Sequence, residues 1–342
     1  MSEVLTGCIH IHTTYSDGTK TVEEISKIAG EVGLDFILIT DHLTLKGYKK
    51  GEEGFYGKTL TLIGYEEQDA ANKNHYLIFG LEDVLDPELT AKEYVAETDR
   101  LGGLGIIAHP DEVRVHLPKY PSYPWTEWNA RGFHGIELWN HMSEWMEGLK
   151  KYNQIKMALR PRKYLKKPTD RILSIWDALN ENQKIAGIGS IDVHGFPYKL
   201  GPFSITIFPY KVQFKSIRSH LVMPGPLSED FETAKKQIYD AIRECRIFIS
   251  NYRWGDARDF RMWVETPRTR VEIGGEGDYE DEAVLKIILP EAADVNVVRN
   301  GKSYSKFRGD SGEIPLFSPG IYRVEATKQG KGWVYSNHIR LK

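Results

Sequence analysis

An α/β fold built around a mainly parallel sheet, with a small all-β region after it, is what this sequence predicts. Three observations carry that expectation. Apolar runs of strand length alternate with helical stretches from Thr6 to His194. The repeating part has the usual size of a (β/α) barrel, about 250 residues. Past residue 257 the helical periodicity stops, and short runs of alternating polarity take over. We therefore divide the chain into a barrel-type domain, 1–257, and a β-sandwich-like domain, 258–342.

The elements follow in order. TGCIHIH (6–12) reads as a short strand and is followed by the polar turn TTYSDGTKT. TVEEISKIAGEVG is a helix, with Thr21 as N-cap, Glu24 three residues on as its capping-box partner, and Gly33 as the stop. LDFILIT is a buried strand running into Asp41-His42, and TLTLIGYEE and HYLIFGL read as strands. AKEYVAETDRLGG is a helix, LGIIAH and HGIELWN are strands, DRILSIWDALNENQ is a helix and KIAGIGSIDVH a strand. Strands that alternate with helices imply βαβ units. In the last part RVEIGG, AVLKIILP, DVNVVRNGKSY and GIYRVEATKQGKGWVYS alternate at strand period, and Asn300-Gly301 is a two-residue hairpin signal.

Composition narrows the function classes. The net charge is −3, so the chain as a whole offers no electrostatic case for nucleic acid or for an anionic membrane. No apolar run approaches the length of a membrane span, and MSEVLTGCIH does not read as a secretory signal. Two cysteines, Cys8 and Cys245, do not make a disulfide framework, and a reducing cytoplasm is the simplest compartment. The 8 Trp and 18 Tyr suggest a well-filled core more than a stacking surface. Residues 150–171 carry nine Lys/Arg against one Asp. This stretch reads as a solvated basic insertion, with the alternative that part of it faces an anionic substrate. Pro161 and Pro168 exclude one continuous helix.

The histidines hold the chemistry. His10 and His12 are two apart on a strand, a spacing that projects both to one face. His42 ends the next strand, His75 precedes another, and His109 ends LGIIAH. Asp192 and His194 repeat the two-apart spacing. In a (β/α) barrel the strand ends converge on one mouth, where active sites lie. Six histidines at strand termini, together with Asp17, Glu66 and Asp192, point to a metal cluster, and imidazole with carboxylate suits Zn, Fe or Mn. His116, His134, His141, His220 and His338 fit no such pattern and read as structural or surface residues.

These residues resemble a family in order as well as in kind. His10-Ile11-His12, Ser16-Asp17-Gly18 and Thr40-Asp41-His42 look like the first motifs of the PHP (polymerase and histidinol phosphatase) domain. Gly64-Tyr65-Glu66 resembles its G-x-E motif, His75 its isolated histidine, Ala108-His109-Pro110 its third motif and Asp192-Val193-His194 its last. The resemblance implies a distorted (β/α)7 barrel with two or three divalent metal ions. It implies one metal on His10, His12, Glu66 and Asp192, and a second on His75 and His109 with Glu66 bridging. A third would lie on Asp17, His42 and His194. Some members have a histidine where Asp17 stands. Glu67, next to Glu66, is the alternative ligand, and the G-x-E spacing favours Glu66.

The implied activity is hydrolysis of a small-molecule phosphate mono- or diester by a metal-activated hydroxide, with Asp192 and His194 in the catalytic cluster. Arg114, shortly after AHP, is the first candidate for a phosphate clamp, its alternative being a surface salt bridge. Arg253 and Arg258 are weaker candidates. Glu137, within GIELWN and expected at another strand end, reads as a structural carboxylate or a further site residue. The GYE…NHYLIFG segment also resembles a carbamate-hydrolysing branch, which keeps carbamate or ester hydrolysis as the alternative. A nuclease would need a basic channel with stacking aromatics, for which only the 150–171 run with nearby Trp125 and Trp128 offers material.

Overall fold

The structure is a computed structural model that describes residues 3–114, 116, 121–200 and 203–342. In chain order its first elements are β1 (Glu3–Ile9), α1 (Val22–Glu31), β2 (Phe36–His42), α2 (Lys46–Lys49), β3 (Gly54–Tyr56), β4 (Thr59–Glu67), β5 (Tyr76–Phe79), α3 (Ala91–Arg100), β6 (Leu104–Ile107) and β7 (Gly135–Asn140). Then come α4 (His141–Gly148), α5 (Gln154–Leu159), α6 (Asp170–Asn180), β8 (Ala186–Ser190), β9 (Pro197–Leu200), β10 (Phe203–Thr206), α7 (Tyr210–Gln213), β11 (Ile217–Met223), α8 (Phe231–Arg243) and β12 (Ile247–Asn251). Strands alone follow: β13 (Arg261–Glu265), β14 (Arg270–Glu272), β15 (Glu276–Gly277), β16 (Val284–Arg299), β17 (Lys302–Pro315), β18 (Gly320–Lys328), β19 (Lys331–Ser336) and β20 (Ile339–Leu341). The chain is thus mixed α/β with a multi-stranded C-terminal region. No helix among the described residues is long and apolar enough to cross a membrane.

The chain packs as two compact units. One comprises 6–165 and 189–218; the other comprises 1–5, 166–188 and 219–342. This grouping by packing is a different partition from the composition boundary at 257/258.

In the first unit, β1 pairs in parallel with β2, and β2 in parallel with β4. The stretch after β1 bridges in parallel to the stretch after β8 through Ile11 and Val193. β6 and β7 are also parallel. The exception is β5, antiparallel to both β4 and β6. Only residues 68–75 join β4 to β5, too few for the crossover of a dozen or more residues that a parallel pair requires. That reversal has a functional consequence. The start of β5 lies at the same edge as the ends of β4 and β6, so His75 joins residues that follow strands. α1 begins as its capping box dictates: the Glu24 amide donates to the Thr21 hydroxyl at 3.3 Å, and the Thr21 amide donates to the Glu24 carboxylate at 3.0 Å.

In the second unit, β16 is the hub. It pairs antiparallel with β13, β17 and β18, while β18 also pairs with β19 and β20. AVLKIILP and DVNVVRN, read as separate runs, form one strand whose register shifts between Ile288 and Ala293. Pro290 lies in that interval and has no N–H to give a ladder, so pairing is interrupted while the strand continues. Asn300 and Gly301 both have positive φ, 48° and 73°, as a tight hairpin turn between β16 and β17 requires.

Candidate metal centre

The residues of the centre all lie in the first unit, and β-sheet register brings them together. β2 and β4 run in parallel with His42 directly opposite Glu66. His10 and His12 follow β1, His109 follows β6, and Asp192 and His194 follow β8. Gly64 lets β5 approach β4: a side chain there would collide with the Ile78 carbonyl and the Phe79 ring. Gly18 does the same for the turn that carries Asp17, since a Cβ would overlap the His12 carbonyl.

Strand alternation alone does not set the positions of His10 and His12. β1 ends at Ile9, and His10 has φ 70°; His109 and Asp192 also have positive φ, 27° and 51°. Non-glycine residues rarely adopt this region, and each costs on the order of 1–3 kcal/mol, so the surrounding contacts must hold them there. Tyr210 is one such contact. Its hydroxyl lies 2.8 Å from the His12 carbonyl oxygen and 3.0 Å from that of His194. Asp41 is another: it accepts from the Thr13 amide at 2.7 Å and from the Thr13 and Ser16 hydroxyls at 2.6 Å each, fixing the loop that leads to Asp17.

Glu66 sits at the middle, fully buried. Its Oε1 lies 2.6 Å from His75 Nδ1 and 3.3 Å from His109 Nε2. Its Oε2 lies 3.1 Å from His10 Nε2, 3.4 Å from His12 Nε2 and 3.2 Å from His42 Nδ1. The two carboxylate oxygens are thus divided between two sets of histidines. Asp192 Oδ1 lies 3.5 Å from His10 and 3.4 Å from His12. Asp17 Oδ1 lies 3.3 Å from His194, 3.7 Å from His12 and 3.9 Å from His42. Glu67 points elsewhere and accepts from the Gln68 amide at 3.0 Å.

Among the described residues, four sets of ligand atoms each lie within 4.8 Å of one another: His12, Asp17, His42 and His194; His10, His109 and Asp192; His10, His12 and Glu66; and His42, Glu66 and His75. All nine positions singled out in the sequence fall in these sets. The sets overlap more than the three implied by resemblance, with His12 also beside Asp17 and His42 also beside Glu66. Both ring nitrogens of His12 and Nδ1 of His42 and of His109 are buried without a hydrogen-bond partner. Buried polar atoms ordinarily have partners, and lone pairs converging from imidazole and carboxylate are what a divalent cation satisfies. The residues fit the metal group.

The charges point the same way. Burial by itself pushes the Glu66 and Asp192 carboxyls up, but the histidines around them hold both well below the usual carboxylate range. Burial, the Asp17 carboxyl's own upward push, is likewise overcome by His194, and Asp17 sits at about 2. Burial and the neighbouring His194 press His12 down to about 3, while for His109 the hydrogen bond to Glu66 overcomes burial and raises it to about 9. Ionised carboxylates and competing imidazoles make a centre where cations displace protons.

Glu137 is the residue whose role the sequence left open. Its Oε1 accepts from His10 Nδ1 at 2.7 Å, and its Oε2 accepts from the His109 amide at 2.7 Å and from the Asn140 side chain at 2.9 Å. It orients one ring and one strained backbone segment of the centre, the part played by the carboxylate behind a metal-ligating histidine. Asp41 stands in the Thr40-Asp41-His42 motif but the sequence assigns it no role, and nothing in the sequence singles out Tyr210.

The centre opens into a cavity of about 1050 Å³ lined by Asp17, His42, Glu66, His75, His109, Asp192 and His194 at one part. Arg114 also lines it, but its guanidinium is committed to the buried Glu112, at 2.7 Å through Nε and again through Nη2, and rests 5.6 Å from the Tyr123 ring. Arg114 thus lines the cavity and is at the same time paired with a buried carboxylate. Arg253 and Arg258 are not among the described lining residues. Lys151 is, so one member of the basic run does face the cavity. Trp125 is buried against Tyr76 and Tyr94, so its place is in the core. His141 and His220 are buried against the hydroxyls of Ser216 and Ser250. His338 pairs with Asp177, while His134 accepts from the Gly105 amide and His116 is exposed.

No protein-family model matches the chain, and no curated protein matches it. Solved structures do. One is a two-domain protein from Bacteroides vulgatus containing a predicted PHP-like metal-dependent phosphoesterase, at 14% identity and TM-score 0.47 over 98% of this chain and 95% of that one. A second, from Bifidobacterium adolescentis and named as a candidate metal-dependent phosphoesterase, has 17% identity and TM-score 0.37, covering 58% of this chain and 92% of that one. A third is an amidohydrolase from Chromobacterium violaceum with bound sulfate and no metal, at 13% identity and TM-score 0.35 over 57% of this chain and 92% of that one.

Proposed function

We propose that the chain is a metal-dependent phosphoesterase acting on a small molecule, with a PHP-like distorted (β/α)7 barrel as its catalytic framework. The observation that carries the reading is the division of Glu66, one oxygen toward His75 and His109 and the other toward His10, His12 and His42. A buried carboxylate shared in this way is suited to bridge two ions. His10, His12, Glu66 and Asp192 would hold one, Glu66, His75 and His109 a second, and Asp17, His42 and His194 a third, of Zn, Fe or Mn. When bound, such ions supply Lewis acidity toward water and toward the oxygens of a phosphoryl group.

The protein's own groups do the rest. Glu137 keeps the His10 ring turned so that Nε2 faces the centre. Asp41 and Tyr210 keep the loops after β1 and β8 in their strained conformations. Asp192 and His194 line the cavity that would receive the ester. Arg114, braced by Glu112, would turn the rest of its guanidinium toward an anionic group in the same cavity. A cavity of this size fits a small phosphorylated molecule. The two cysteines are buried and free, as suits a reducing cytoplasm.

The deciding experiment combines metal analysis with hydrolysis of p-nitrophenyl phosphate, its bis-aryl diester and an aryl carbamate. The reading expects at least two metal ions per chain, turnover of a phosphate ester, and loss of both metal and turnover in His109→Ala. Turnover of the carbamate alone would move the assignment to carbamate hydrolysis. Metal below one per chain, with His109→Ala as active as the parent, would overturn the reading.

A further inference from the structure

The phosphoryl-binding part accounts for only some of the cavity. The rest is lined mostly by apolar side chains from α4, α5 and the segment before α7, with Gln68, Asn72, Lys151 and Gln154 as polar members of the same lining. Met142 and Trp145 come from α4, Ile155 and Leu159 from α5, and Phe208 from that segment. The Trp145 indole N–H already donates to the Met157 carbonyl at 3.1 Å, so its ring offers the cavity only apolar surface. Phe208 packs edge-on against Trp145, ring centroids 4.5 Å apart, with a φ of 56° that a bulky side chain seldom adopts. Strain of this kind clusters where a ligand is met. Ile155 and Leu159 are 72% and 71% exposed although they line the cavity. Apolar side chains left open to solvent inside a concave site mark a ligand surface.

The apolar wall is continuous with the metal centre. Phe196 lines the same cavity and stacks on His194, ring centroids 4.8 Å apart and planes 12° from parallel. A molecule with its phosphate at the centre therefore reaches this wall. Against the face formed by Met142, Trp145, Ile155, Leu159 and Phe208, a sugar or nucleobase would leave hydrogen-bonding groups unpaired. Resting on the phosphoesterase reading above, we infer that the substrate is a phosphate ester of an apolar alcohol, with an alkyl or arylalkyl body that lies against Trp145 and Phe208.

The test is calorimetric binding of methyl-, butyl- and octylphosphonic acid to the metal-loaded protein, below any micelle concentration. Burial of each added methylene predicts about three- to fourfold tighter binding until the wall is covered. Leu159→Asp and Ile155→Asp, both at exposed positions that do not threaten folding, are expected to flatten that dependence. Methylphosphonate that binds as tightly as octylphosphonate overturns the inference and leaves the phosphoesterase reading standing. Adsorption to phosphatidylglycerol vesicles with no dependence on chain length would make the apolar surface a membrane contact, and also overturns it. A protein that binds no phosphonate at all overturns the phosphate reading and the inference with it.

Discussion

Two buried groups of histidine and carboxylate differ in how their charges close. In the second unit His338 Nε2 lies 2.9 Å from Asp177 Oδ1, and Arg323 grips both oxygens of the same carboxylate at 2.7 and 2.8 Å. Arg323 reaches Glu325 as well, and Trp176 packs tilted against the His338 ring, centroids 4.2 Å apart. The lone pairs are used and the charges answered within the protein. In the metal centre ring nitrogens of His12, His42 and His109 are left without hydrogen-bond partners beside three carboxylates, and the largest influences that offset those carboxylates come from imidazoles. Buried histidine beside buried carboxylate is therefore no signature of a metal. The signature is surplus: more converging lone pairs than the protein supplies with protons or cations.

The largest expected effect breaks the closed group. Asp177→Ala leaves Arg323, 3% exposed, buried without its main partner, and should cost about 3–5 kcal/mol of stability in urea unfolding. A loss under about 1 kcal/mol, the range of a surface ion pair, would show that the group is not closed as described. The open centre behaves differently, because its missing partner comes from solution. Metal at a hundred times its dissociation constant should stabilise the fold by about 2.7 kcal/mol, and chelator should remove that gain. Glu137→Ala, which removes the acceptor behind the His10 ring, should weaken metal affinity by about ten- to a hundredfold and so shrink the chelator effect. An unchanged chelator effect in Glu137→Ala would mean that His10 needs no orientation.

The two groups were unequally legible. The ligand positions of the metal centre stand at strand ends in short, ordered motifs, so sequence alone could name His10 through His194. What supports them could not be read, since it comes from distant segments. His10 and Glu137 are 127 positions apart, and Tyr210 and His12 198. Positive φ at His10, His109 and Asp192 has no local signal, because none of these residues is glycine. The reversal of β5 was readable in principle from its short link to β4, yet the apolar run resembled its parallel neighbours. In 150–171 the charges drew attention, while Ile155 and Leu159, four apart and so on one helix face, lay between them. The closed group escaped for another reason: Asp177 sits mid-helix, and nothing near it announces Arg323, 146 positions on.

The smallest effect concerns protons. Burial outweighs Asp177 and lowers His338 to about 4, against its usual value of 6.5. A histidine with a depressed folded pKa is neutral when folded and takes up a proton on unfolding. The unfolded chain then binds more protons, so stability is fully present above about pH 6.5 and falls as the pH drops toward 4. One such group contributes a slope of up to about 1.4 kcal/mol per pH unit. His338→Asn should lower stability at pH 7 through lost packing, but it should also reduce the slope between pH 4 and 6.5. His12 and His141, each lowered to about 3 chiefly by burial, keep part of the acid sensitivity in the variant. The offset and the slope are separate measurements. A variant with the offset but the parent's slope would show that His338 is protonated when folded, and that the closed group holds one more charge than its geometry suggests.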